Sequence, residues 1–399
     1  MNPMLPLGIV ADDLTGALDA AAPFAARGYR TDVVLRSSGP STADVVARSA
    51  ESRMLTPDAA VARTVALAHG VTTATLFKKI DSLLRGPLAA EIAALAAAIS
   101  PDLVIVAPAF PAQGRVTIGG VQYAHGRPVH ESVRDPFAPA ATSDLALLLA
   151  DAGLATRLLA LGDIGAGPDA VRAALAAERE GGRVVVADAE RQEDLDTLVR
   201  ATATVGSEIL WCGAAGLAHA LAAALPPAQA RPPPPAVRRA LVVCGSMHPA
   251  SLAQCVHLER QAGVVGRALL AHEGNPASLV APVRHLLQEN PCVLLTLVAP
   301  PEGDRPDRAR ALAALETLAA GLRNVPSLGV VATGGETAAA LCRGFGFTRL
   351  AVCDVLDEGI PRSIGHGGPC DGMPVITKAG GFGAATALWD AARSMLEAR

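Results

Sequence analysis

"LGIVADDLTGALDAAAPFAARG", residues 7–28, decides the fold. Leu7–Val10 is an apolar run without alternation, as expected of a strand buried on both faces. After Asp12 and Asp13 an Ala-rich stretch opens at Thr15 and Gly16 and ends at Gly28, which suits a helix with a glycine C-terminal cap. A strand feeding a helix is half of a parallel crossover unit. The rhythm continues in "DVVL", "TTATLFKK", "DLVIVAP" and "RVVVADA", with "PLAAEIAALAAAI" and "DAVRAALAAERE" as helices between them.

The clearest interruption is "LPPAQARPPPPAVRRA" (225–240), where clustered prolines can continue neither a helix nor a central strand. Beyond it "ALVVCGS", "CVLLTLV", "LGVVATGGE", "LAVCDVL" and "MPVITKAGG" resume the strand pattern. The expected architecture is therefore α/β with two domains, residues 1–228 and 238–399. Each is a mostly parallel sheet flanked by helices, with the Pro-rich stretch as linker.

Bulk properties agree and exclude several functions. A chain of 399 residues is long for one core, and 51% hydrophobic against 18% charged residues describes a well-buried globular protein. Net charge of −4, no basic block and 3% aromatic residues argue against a nucleic-acid partner. Charged residues break every apolar run before membrane-span length, and no basic segment precedes Leu7, so a cytoplasmic, non-membrane protein is expected. Seven cysteines at scattered spacings, with no CxxC, read as free thiols. His125, His130, His248 and His366 have no metal-pair spacing and read as surface or hydrogen-bonded histidines. An Ala/Leu-rich helix face serves equally as core or as the interface of a homodimer.

Three stretches repeat one device: "VVCGSMHPASLAQ" (242–254), "VVATGGETAAAL" (330–341) and "VITKAGGFGAATAL" (375–388). In each, a strand runs into glycines and then a helix, so backbone N–H groups and a helix N-terminus can meet a phosphate. Neither GxxxxGK[ST] nor a clean GxGxxG is present, which argues against a P-loop and a dinucleotide fold. Of 34 Lys plus Arg, only Lys78, Lys79 and Lys378 are Lys. Lys378, ahead of Gly380 and Gly381, is read as a point charge for a nucleotide phosphate, the alternative being a solvent-facing loop residue.

In the N-terminal half, Asp12 and Asp13 stand where paired carboxylates order hydroxyls, hold Mg²⁺ or accept a proton, or where one simply caps the helix. "FKKIDSLLRGP" (77–87) packs Lys78, Lys79, Asp81, Ser82 and Arg85 together, a mixture suited to an anionic, hydroxylated substrate. A salt-bridged turn is the plainer reading, most natural for Lys78. The loop "APAFPAQGRVTIGGVQY" (107–123) adds Arg115, and "SRML" adds Arg53, both able to grip a carboxylate. "WCGAAGLAHAL" (211–221) reads as a structural helix start with a close backbone approach.

Taken in order, "ADDLTGALDAA", "KKIDSLLRG", "PAFPAQGRVTIGGVQY", "DPFAPA", "CGAAGL", "CGSMHPAS", "ATGGETAAAL" and "PVITKAGGFG" resemble the four-carbon acid sugar kinase family over nearly the whole chain. Leu83, Ala112, Gly119 and Glu336 depart from the residues common in that family, a matter of substrate identity more than of reaction. The resemblance implies ATP-dependent phosphorylation of a tetronate (D-threonate first, then L-threonate, erythronate or 3-oxo-tetronate) to its 4-phosphate, with Mg²⁺. It assigns the sugar acid to Asp12, Asp13, Arg53, Lys79, Asp81, Ser82 and Arg85. Ser246, Gly334, Gly335, Glu336, Thr337 and Gly380 fall to the nucleotide, joined by Lys378 and Gly381 from the same loop. Asp81 is the first candidate base, Asp13 its rival, with Lys79 beside them. A non-catalytic sugar-acid and nucleotide sensor is the alternative, and a dehydrogenase the weakest rival.

Overall fold

The structure is a computed structural model that describes residues 5–36, 41–69, 74–132, 140, 142–178, 184–202, 208–270, 276–298 and 308–396. Most of "DPFAPA" (135–140) lies outside them. The strands in chain order begin with β1 (Leu7–Ala11), β2 (Thr31–Val34), β3 (Val45–Ser49), β4 (Thr75–Lys79), β5 (Leu103–Ala107) and β6 (Arg115–Ile118). Next come β7 (Val121–Ala124), β8 (Arg127–Pro128), β9 (Thr156–Leu159), β10 (Val184–Ala187), β11 (Ile209–Gly213) and β12 (Arg239–Cys244). The rest are β13 (Val264–Leu270), β14 (Cys292–Val298), β15 (Leu328–Thr333), β16 (Arg349–Asp357), β17 (Ile360–His366) and β18 (Met373–Lys378).

Two compact units emerge, residues 1–29 with 42–229, and residues 30–41 with 230–399. Residues 30–41, expected with the N-terminal half, go with the second unit because β2 pairs antiparallel with β16. Pairing partners are set by distant hydrogen bonds, which a local pattern in "DVVL" does not encode.

In the first unit the sheet order is β3-β1-β4-β11-β5-β10-β9, with every pairing parallel. Burial on both faces explains the runs LVIVA and VVVA, in which every residue is buried. One face packs Val10, Val104, Val106, Val186 and Leu210 with Leu88, Ile92 and Leu95 of helix Leu88–Ile99. Each such side chain contributes roughly 1.5–3 kcal/mol. Leu88, Ile92 and Leu95 follow helical spacing, and truncating Ile92 to Ala would open a hole in the middle of that stripe. Helix Leu14–Ala26 packs against helix Ala215–Ala223. After β1 the chain adds β3 on one side and β4 on the other, so the strand order reverses around β1. That reversal is where an open α/β sheet forms its crevice.

The second unit orders β13-β14-β12-β15-β18 in parallel and continues through β17, β16 and β2 in antiparallel pairs. Val242, Leu294, Val331 and Ile376 pack against Leu258, Leu388, Ala391 and Met395 of its helices. Among the described residues no helix is long and apolar enough to cross a membrane. All seven cysteines are free and buried.

Candidate active site

The carboxyl ends of β3, β1 and β4 lie side by side, with Ala11 opposite both Ser49 and Lys79 in register. From these ends come the Asp12–Asp13 pair, the Ser52–Arg53 loop and the Asp81–Arg85 loop. The Ser52 amide donates to Asp12 O at 2.9 Å, tying the Arg53 loop to β1. Glu51 and Leu84, both non-glycine, adopt left-handed φ values of 46° and 56°. Such backbone costs of order 1–3 kcal/mol and persists where its surroundings hold it. Around Leu84 that hold is visible: its amide donates to Asp81 O at 2.9 Å, and its side chain is buried.

The structure brings together the expected substrate side chains. Arg53 Nε lies 2.7 Å from Asp12 Oδ2, its Nη1 2.9 Å from Asp13 Oδ2 and its Nη2 3.8 Å from Asp81 Oδ1. Arg85 grips Asp81 through two nitrogens, Nε to Oδ2 at 2.6 Å and Nη2 to Oδ1 at 3.1 Å. Asp13 also caps helix Leu14–Ala26, its Oδ1 accepting from the Gly16 amide at 2.7 Å and its Oδ2 from Thr15 Oγ1 at 2.8 Å. Capping and facing the cluster are thus combined in one residue.

Asp12 differs from its neighbours, because its Oδ1 is buried without a hydrogen-bond partner. Lys79 Nζ donates to Ile80 O at 2.7 Å, which occupies one of its three N–H donors. A Cβ at Gly16 would lie 3.3 Å from Lys79 Nζ and 3.5 Å from Asp12 Oδ1, so glycine keeps that corner open. Burial opposes ionisation of Asp81, but the Arg85 and Arg53 guanidiniums outweigh it and hold its carboxyl far below the usual range. The same contest, with Arg53 and Lys79 prevailing over burial, lowers Asp12. Burial lowers the Arg115 pKa while the charges of Asp81 and Arg85 act on it, which places this guanidinium in the same electrostatic neighbourhood. Ser82, 9% exposed, is anchored by its carbonyl, which accepts from Gln122 Nε2 at 2.9 Å.

Lys78 does not join the cluster. It is fully buried and paired with Glu91 Oε2 at 3.0 Å, while Glu91 Oε1 accepts from Ser52 and Thr64, each at 2.6 Å. Glu91 escaped the sequence reading, although a lone acid in "PLAAEIAALAAAI" on the stripe of Leu88, Ile92 and Leu95 is a visible signal. At "WCGAAGLAHAL" the expected helix start and close backbone approach are present: helix Ala215–Ala223 begins there, and a Cβ at Gly216 would come within 2.5 Å of Ala109 O.

In the second unit the three glycine turns follow the adjacent strands β12, β15 and β18. A Cβ at Gly245 would collide with Thr337 Oγ1, and one at Gly380 with Ser246 Oγ. Gly334, at φ 98°, needs its missing side chain for conformation, and its amide donates to Lys378 O at 3.0 Å. Gly335 and Thr337 open helix Gly335–Phe345, and Gly381 lies against the His248 ring. Glu336 is tied to Arg308. Lys378 is fully buried, its ammonium turned back onto the carbonyls of its own loop and away from the solvent-facing alternative. Ser251 and Gln254, not singled out in the sequence, reach the same loop. Among the described residues no group of three or more His, Cys, Asp or Glu side chains is placed to hold a metal ion.

The first unit thus presents a buried cluster of charged side chains at its strand ends, and the second presents three glycine turns at the ends of adjacent strands. Residues 7–221 match the sugar-binding N-terminal domain family and residues 241–388 the nucleotide-binding C-terminal domain family. The chain belongs to the four-carbon acid sugar kinase family. It is 38% identical to D-threonate kinase of Cupriavidus necator, over 98% of each chain. It is 30% identical to 3-oxo-tetronate kinase of Pseudomonas fluorescens, over 96% of this chain and 95% of that protein. A solved structure from Salmonella typhimurium, described as a putative tRNA synthase, shares the fold with a TM-score of 0.83 at 21% identity, covering 98% of this chain and 99% of that one.

Proposed function

We propose that the protein is an ATP-dependent kinase that phosphorylates the terminal hydroxyl of a four-carbon acid sugar, D-threonate in the first instance, to its 4-phosphate. The observation that carries this reading is the buried cluster in the unit matching the sugar-binding family, where one carboxylate oxygen, Asp12 Oδ1, has no partner. An acceptor in that state calls for a donor from a ligand, and a sugar hydroxyl supplies one. The substrate's carboxylate falls to Arg53 and Arg85, whose guanidiniums suit bidentate pairing. Greater identity to the D-threonate kinase than to the 3-oxo-tetronate kinase favours D-threonate.

In the transfer, the hydroxyl oxygen bonds to the γ-phosphorus as the bond from that phosphorus to the ADP oxygen breaks. The hydroxyl proton passes to a carboxylate. Both Asp81 oxygens are engaged by Arg85, and both Asp13 oxygens by the helix cap, Thr15 and Arg53. Asp12 Oδ1 therefore takes the proton, with Asp81 and Asp13 fixing the guanidiniums around it. Lys79 offers its remaining N–H donors to the substrate. Positioning and charge supply most of the rate in such a reaction. Among the described residues no group of three or more His, Cys, Asp or Glu side chains is placed to hold a metal ion, and in this reading Mg²⁺ would come bound to the nucleotide's phosphates, whose charge it offsets.

The test is ADP release with ATP and Mg²⁺ across D- and L-threonate, D- and L-erythronate and their 3-oxo forms. Turnover on one acid, with a 4-phosphate product, supports the reading. Binding of acid and nucleotide without product across the panel overturns it in favour of a sensor.

A further inference from the structure

The loop that follows β18 is held from within by three buried side chains. Lys378 Nζ donates to the carbonyls of Ala379 at 2.9 Å, Gly380 at 3.2 Å and Phe382 at 3.0 Å. Ser251 Oγ donates to Gly380 O at 2.6 Å. Gln254 Nε2 reaches the carbonyls of Phe382 at 3.0 Å, Gly383 at 3.0 Å and Ala384 at 2.9 Å. Ser251 and Gln254 lie three residues apart on helix Pro249–Glu259 and are 0% and 1% exposed, so both face the loop from one side of that helix.

Five successive or near-successive carbonyls are thus drawn toward one buried group of donors. In a trans peptide the C=O and the following N–H point in opposite directions. Drawing in the carbonyls of 379, 380, 382, 383 and 384 therefore turns the N–H groups of Gly380, Gly381, Gly383, Ala384 and Ala385 the other way. The amides left facing away from the buried donors are available to an anion, and the Lys378 charge behind them adds to the positive potential there. The contacts of Gly380 with Ser246 and of Gly381 with His248 set these amides beside the turn after β12.

We propose that Lys378, Ser251 and Gln254 are positioning residues that act through the 379–384 loop. They hold its carbonyls inward so that its amides form a cradle for the nucleotide's phosphates, and Lys378 itself does not touch them. The proposal rests on the nucleotide reading of this unit. It explains why a lysine is kept where direct phosphate contact was expected, and why a glutamine that reaches three carbonyls sits on the adjacent helix.

The experiment is calorimetric titration of the full chain with Mg·ADP and, separately, with D-threonate, alongside thermal melting. The variants are Ser251→Ala, Gln254→Ala, Lys378→Met and the double Gln254→Ala/Lys378→Met. Gln254→Ala is expected to weaken ADP binding about tenfold, on the order of one lost hydrogen-bond set. D-Threonate affinity should stay within about twofold. The double variant should lose less than the product of the single losses, because both side chains hold one loop. If Lys378→Met does not fold, Ser251→Ala and Gln254→Ala carry the test alone. Wild-type ADP affinity in both, or parallel loss of ADP and D-threonate affinity, overturns the proposal. A wild-type protein that binds D-threonate but not ADP refutes the nucleotide reading itself, and the cradle falls with it.

Discussion

At Asp12, Asp13 and Asp81 three carboxylates share one guanidinium, yet their chemistry differs because their remaining partners differ. Asp81 is spent on Arg85 and Asp13 on the helix cap, whereas Asp12 retains an open oxygen. Asp12→Asn should lower kcat by about 10²–10⁴-fold, the range for losing a general base, with a smaller change in KM. Asp81→Asn should instead raise KM for the acid, because Arg85 loses its anchor, with the smaller effect on kcat. Steady-state kinetics of the two variants separate the roles. A pH prediction follows from the lowered Asp12 and Asp81 carboxyls. A carboxyl whose folded pKa lies below its unfolded value stabilises the fold above the unfolded pKa, and that contribution is lost as pH falls through the folded value. The melting-temperature gap between wild type and Asp81→Asn should therefore hold from pH 7 to pH 5 and narrow only below about pH 4, where an unfolded aspartate protonates.

Helix Leu88–Ile99 does more than cover the sheet. Its one acid, Glu91, reaches Lys78 on β4 and Ser52 beside Arg53, and so links two of the strand ends that form the cluster. Glu91→Ala would leave the fully buried Lys78 ammonium without its counter-charge. Loss of one partner of such a pair costs about 3–5 kcal/mol. Chemical denaturation should show that loss. A shift of the midpoint alone, without change in slope, would match a native-state effect. An Asp81→Asn, Glu91→Ala comparison also distinguishes support from chemistry, since only the first leaves Lys78 paired.

At the scale of the whole molecule, the second unit is not a continuous piece of chain. β2, from residues 31–34, forms the partner of β16 over Thr31–Val352 to Val34–Arg349, and Arg349 Nη1 reinforces the pairing with Asp32 Oδ1 at 3.1 Å. A fragment of residues 230–399 lacks this strand and exposes the β16 edge, a template for pairing with another chain. It should therefore associate or precipitate at concentrations where the full chain stays monodisperse, as light scattering would show. Adding residues 30–41 back on a flexible connection should reverse this.

Much of the fold and of the candidate site is legible in the sequence. The alternation of buried strands with Ala-rich helices, the Asp12–Asp13 turn, the Lys79–Arg85 cluster and the three glycine turns are each local signals, written within about ten residues. Backbone conformation, helix capping and glycine freedom depend on neighbours in sequence, so sequence by itself determines them. What only the tertiary structure decided was which groups face one another. β2's place beside β16, the Lys78–Glu91 pair, the inward turn of the Lys378 ammonium and the open oxygen of Asp12 all depend on partners drawn from distant segments. A side chain's charge is written in the sequence, but whether that charge is spent on the fold or kept for a ligand depends on where packing brings its partners.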